Sequence, residues 1–65
     1  MEHAEKFYFV SLEALAAELG LPQAYLRRLA ADGKIPSLNV SGRLRFNPSA
    51  VGDALTELSR KGGQL

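Results

Sequence analysis

Arg27, Arg28, Arg43 and Arg45, with Lys34 between the two pairs, are the residues of this chain whose type and spacing suggest chemistry. That chemistry is the holding of phosphates, because a guanidinium fork matches phosphate oxygens in charge and geometry. Gln23 lies four residues before Arg27, so on a helix the two side chains share a face with Ala24 and Arg28 beside them. Arginine suits the O6 and N7 of guanine, and glutamine suits the N6 and N7 of adenine. Gln23, Ala24, Arg27 and Arg28 therefore read as the outward face of a helix able to address base edges and backbone. Tyr25 and Lys34 are auxiliary candidates for a phosphate. The plainer alternative is an ordinary helical hairpin with a solvated arginine pair.

No residue set supports catalysis. The only histidine is His3, close to the chain start, and a stray terminal imidazole needs no catalytic explanation. Glu13 and Glu18 read as a solvated helix face, not as an acid–base pair. Tyr25 lacks the separate Arg and His partners that a recombinase nucleophile requires. No Gly-rich phosphate loop precedes a helix, and no cluster of metal ligands is spaced to act. The reading is a non-enzyme without cofactor or metal.

These candidates must be positioned by local elements, and the stretch from Ser11 to Leu29 supplies two. Leu12, Leu15, Ala16 and Leu19 recur at helical spacing, with Ser11 as N-cap and Gly20 as a left-handed stop. Leu26, Leu29 and Ala30 form the matching stripe of a second helix, which Asp32-Gly33 and Pro36 bring to an end. This is the sequence form of a helix-turn-helix. From Ile35 to Phe46 the period falls to two, predicting a hairpin around Ser41-Gly42. If Leu38, Val40, Leu44 and Phe46 all face inward, the loop must hold Ser41, Gly42 and Arg43, or contain a bulge. Arg43 then stands at the tip and Arg45 on the outer face opposite Asn39. Arginines on such a hairpin also serve simply to solubilise an edge.

Asn47-Pro48 opens a third helix, with Val51, Ala54, Leu55 and Leu58 inward and an end near Ser59. Gly52 weakens it by about 1 kcal/mol relative to Ala, which suggests a close approach by another element. Phe7, Tyr8, Phe9 and Val10 are too apolar for a free tail, so some of them are expected over the core. The predicted organisation is a flexible N-terminus over 1–6, one domain over 7–59 and a flexible tail over 60–65. The fold class is mainly α with a small β-hairpin, a winged helix-turn-helix.

Size and charge agree with this. Sixty-five residues give a single small core, and a chain of this length buries only about 60% of its unfolded surface. There is no cysteine, hence no disulfide and no thiolate metal site. No apolar run approaches the roughly 20 residues of a bilayer span, and MEHAEK lacks the order of a secretory signal. A soluble intracellular protein is expected, away from membranes. The net charge is only +1, but it is unevenly spread. Residues 1–22 hold four glutamates against one lysine, whereas residues 23–45 hold four arginines and a lysine against one aspartate. The candidate contact region is the basic one.

Taken in order, helix, turn, helix, hairpin and helix resemble the excisionase-type winged helix-turn-helix domains, relatives of the MerR DNA-binding domain. The resemblance runs from about Phe9 to Leu58. It rests on Ser11-Leu12-Glu13, Leu19-Gly20-Leu21, Leu26-Arg27-Arg28-Leu29, Asp32-Gly33-Lys34-Ile35-Pro36, the segment Val40 to Phe46, and Asn47-Pro48 followed by Val51, Ala54 and Leu55. It implies a sequence-specific binder of double-stranded DNA from a phage, plasmid or integrated element. Such a protein acts in a bacterial cytoplasm on nucleoid DNA, as a recombination directionality factor that bends DNA and assists an integrase, or as a transcriptional regulator. It also implies that the second helix enters the major groove, that Ser41, Gly42, Arg43 and Arg45 form a wing on the neighbouring backbone, and that further copies bind alongside. Pro22 departs from the Ser or Thr usual there and offers neither a hydroxyl nor an N–H, while Leu21 can still pack on Leu26. A phage assembly or terminase-like interaction module of the same fold is the competing reading, which an exposed apolar patch around Phe7, Tyr8 and Phe9 would favour.

Overall fold

A computed structural model describes residues 8–62, so Phe7, the expectation for 1–6 and the last part of the expected tail lie outside the described residues. The elements follow as β1 (Val10–Ser11), α1 (Leu12–Leu19), α2 (Gln23–Ala31), β2 (Leu38–Val40), β3 (Arg43–Phe46) and α3 (Pro48–Arg60). This is a mainly helical winged helix-turn-helix with a small antiparallel sheet.

Local chemistry sets the helix ends. Ser11 Oγ accepts the Ala14 N–H at 3.1 Å, satisfying one of the donors left open in the first turn of α1. Gly20 is left-handed at φ 68°, and the Ala16 carbonyl accepts from the N–H groups of Gly20 and Leu21 at 2.8 and 3.1 Å. Pro22 precedes α2 without a side-chain cap, while its carbonyl accepts from Leu26 N–H at 3.2 Å. At the far end, Lys34 N–H reaches the Leu29 carbonyl and Gly33 N–H reaches that of Ala30, a Schellman closure. Asn47 Oδ1 accepts from Ser49 and Ala50 N–H at 3.0 and 3.3 Å to open α3. The third helix runs one residue past Ser59, to Arg60, before Lys61 and Gly62 turn away.

The core is built from every element except β2. Leu15, Ala16, Leu26, Leu29, Ile35, Phe46 and Val51 are buried. Val10, Leu12, Leu19, Leu21, Tyr25, Ala30, Leu44, Ala54, Leu55 and Leu58 pack around them, half-buried. Leu21 thus joins the cluster that holds Leu26, as a staple at the start of α2 would require.

The hairpin departs from the sequence expectation. Val40 pairs with Arg43, Asn39 with Leu44 and Leu38 with Arg45, so the loop is the two residues Ser41 and Gly42. Both have positive φ, 53° and 82°, as a type I′ turn requires, and Asn39 Oδ1 accepts the Gly42 N–H at 3.0 Å. Cross-strand partners share a face, so Leu38 and Val40 stand with Arg45 and Arg43, outside. Leu38 is 47% exposed and Val40 46%, while Phe46 is fully buried. Four apolar residues on one face would have needed the longer loop. The turn chose the register, and only Leu44 and Phe46 turn inward.

The sheet also has a third strand that the sequence did not announce. β1 pairs antiparallel with β3, Val10 opposite Phe46 and Ser11 opposite Arg45, giving the order β1-β3-β2. Among the described residues of the aromatic-rich segment expected over the core, Val10 packs there, while Tyr8 and Phe9 are 54% and 45% exposed. Gly52 is likewise not explained by crowding, because a Cβ built on it meets nothing within 4 Å. Among the described residues, no helix is long and apolar enough to cross a membrane.

Candidate nucleic-acid interface

Three elements converge on one open groove. Ser11, Leu12 and Glu13 contribute from the start of α1, Gln23 and Arg27 from α2, and Gly42, Arg43, Leu44 and Arg45 from the hairpin. The sequence places Arg27 and Arg43 on different elements; the β1–β3 pairing and the packing of α2 on α1 bring them to the same wall. Each position has a local cause. Gln23 and Arg27 lie one helical turn apart on α2. Arg43 and Arg45 alternate with the inward Leu44 and Phe46, which fixes them on the opposite face of β3. Ser11 is both the cap of α1 and the strand partner of Arg45, so the beginning of α1 is tied to the sheet.

The arrangement offers three guanidinium groups, an amide and a carboxylate to a common space. Gln23, Arg27 and Arg43 are exposed and Arg45 is half-buried. Among the described residues the ion pair formed is Arg60 Nη1 with Glu57 Oε1 at 3.6 Å, an exposed i,i+3 contact on α3, so the groove arginines carry no carboxylate partner of their own. A groove of this kind is suited to an anionic ligand with hydrogen-bonding edges. Among the described residues there is no group of three or more His, Cys, Asp or Glu placed to hold a metal ion.

The remaining candidates are placed less centrally. Ala24 and Arg28 are exposed on α2 but do not line the groove, and Tyr25 is half-buried against the core. Ser41 occupies the exposed hairpin tip, and Arg43, expected there from the three-residue loop, is instead paired with Val40 in the ladder. Lys34 stands apart, lining a second groove with Ala54, Glu57, Leu58 and Lys61. Two features were missed from sequence. Glu13, read as part of a solvated face, is exposed but sits in the arginine groove. Phe9 and Leu38 line a third groove with Arg45, so apolar surface borders the cationic one. The strand that carries Val10 and Ser11 is two residues long, too short for alternation to mark it. The chain matches no protein-family model, no curated protein and no solved structure.

Proposed function

We propose that this protein binds double-stranded DNA, with α2 in the major groove and the hairpin on the adjoining backbone. The observation that carries the reading is the groove in which Gln23 and Arg27 of α2 meet Arg43 and Arg45 of β3. Gln23 and Arg27 supply base-edge hydrogen bonds. Arg43 and Arg45 neutralise phosphates, with Arg28 as a neighbouring contact on α2 and Ser41 and Gly42 giving the hairpin a small, close-fitting tip. Within that reading, the resemblance to excisionase-type domains favours a recombination directionality factor that bends DNA and assists an integrase, with several copies on adjacent sites. A small transcriptional regulator uses the same contacts. The protein acts on DNA as a binder without catalysis, in a bacterial cytoplasm.

A second reading, a protein-interaction module, is favoured by the exposed Tyr8, Phe9, Leu38 and Val40. Titration of the protein against a labelled duplex pool over a series of salt concentrations separates the two. DNA binding requires a log–log slope of about −0.9 for each phosphate neutralised. A flat or absent response favours the interaction module.

A further inference from the structure

Glu13 is the anomaly of the groove. It is the one acidic residue among nine lining positions that include Arg27, Arg43 and Arg45. Its position is fixed from two sides. Ser11 caps α1 two residues earlier, and the same Ser11 is paired across the sheet with Arg45. Antiparallel partners keep their Cα atoms about 4.5–5.5 Å apart, so the first turn of α1 starts beside the arginine strand. Among the described residues Glu13 makes no ion pair. Its carboxylate therefore remains an exposed acceptor in a place otherwise prepared for phosphate. An ionised carboxylate can only accept hydrogen bonds. Against phosphate it repels. Against a base edge carrying an amino group, the N4 of cytosine or the N6 of adenine, it is satisfied.

Resting on the DNA reading above, we propose that Glu13 is a specificity-determining residue of this groove. It lowers affinity for DNA in general and spares sites that present an amino donor to it. The Coulombic attraction of the arginines for phosphate is indifferent to sequence, and Glu13 subtracts from that indifferent part. Selectivity gained by penalising the wrong partner is a common device in recognition.

The test compares wild-type protein with Glu13→Gln and Glu18→Gln. Both variants lose one carboxylate from α1, but Glu18 does not line the groove. The probes are a random-sequence 20-bp duplex and a pool enriched from it by the wild-type protein, each titrated over a salt series. Circular dichroism melting reports that each variant is folded. A single carboxylate–phosphate repulsion at about 4 Å, screened as in bulk water, corresponds to roughly a fivefold change in binding. Glu13→Gln is expected to bind the random duplex about fivefold more tightly, with a steeper salt slope and a smaller preference for the enriched pool. Glu18→Gln is expected to stay within about twofold of wild type. Equal behaviour of the two variants, or weaker random binding by Glu13→Gln, overturns the assignment while leaving DNA binding intact. A wild-type protein with no salt-dependent affinity for either duplex overturns the DNA reading and the assignment with it.

Discussion

Replacing Gly52 by alanine separates two explanations for a glycine within a helix. If crowding required it, a methyl group would clash; the structure instead leaves the Cβ position open to 4 Å. Gly52 lies within α3, five residues into a helix capped by Asn47, and its carbonyl accepts from Thr56 Oγ1 at 2.9 Å, a bond that Ala keeps. What remains is propensity. Alanine is favoured over glycine within a helix by roughly 1 kcal/mol, partly because it restricts the unfolded chain. For a domain of this size that corresponds to a rise in Tm of roughly 4–8 °C. In urea the midpoint should move up while the slope m stays constant, the sign that stability alone has changed. Gly20→Ala is the internal control. Its Cβ also meets nothing within 4 Å, but its φ is +68°. Alanine there costs roughly 1–2 kcal/mol of left-handed strain. The two substitutions add the same methyl to equally open space and should shift Tm in opposite directions. A fall or no change for Gly52→Ala, or the same direction for both, would refute this backbone argument.

Loss of the cap in Asn47→Ala should cost about 1 kcal/mol in chemical denaturation, since Asn47 Oδ1 accepts from two N–H groups of the first turn. In DNA titrations Arg45→Ala should weaken binding to every sequence and reduce the salt slope by about 0.9; an unchanged slope removes the hairpin from the interface. Arg27→Ala should narrow the gap between preferred and random DNA more than Arg28→Ala does, by about 1–3 kcal/mol for a lost bidentate contact. If both lose affinity with preference intact, α2 only clamps the backbone. Copies on directly repeated sites about one DNA turn, roughly 34–36 Å, apart should bind cooperatively. Duplexes with one, two and three such sites measure this, and equal affinity per site on all three would argue against cooperation.

Helix boundaries were legible because their causes are local. The Ser11 hydroxyl, the Gly20 turn and the Asn47-Pro48 start act on backbone groups within a few residues, and each does so in the structure. The hairpin register was not legible from apolar parity, because two influences competed. Burial of Leu38 and Val40 argued for a longer loop, while Ser41, Gly42 and the Asn39 side chain argued for a tight one. The tight turn prevailed, leaving two aliphatic residues outside. β1 escaped notice because two residues cannot show alternation, and its partner β3 lies beyond two helices and a strand. The basic residues were legible as candidates, and Gln23, Arg27, Gly42, Arg43 and Arg45 do meet in one groove. That Lys34 would face α3, and that Glu13 would share the groove, depends on packing between helices, which spacing along a single element does not encode.

The pairing of Val10 with Phe46 has a consequence for how the molecule assembles and opens. Turns of helix and the β2–β3 hairpin need only neighbouring residues, whereas the β1–β3 ladder must close a loop spanning most of the described chain. Such distant contacts bear the largest closure entropy and form late. The ladder is only two residues long, so it is also the cheapest piece of sheet to undo. Brief fraying there would release the cap of α1 together with the strand, since Ser11 serves both. Backbone amides at the start of α1 and along the β1 side of β3 should then exchange with solvent as one cooperative unit, while Leu26 and Leu29 in α2 stay protected until the whole domain unfolds.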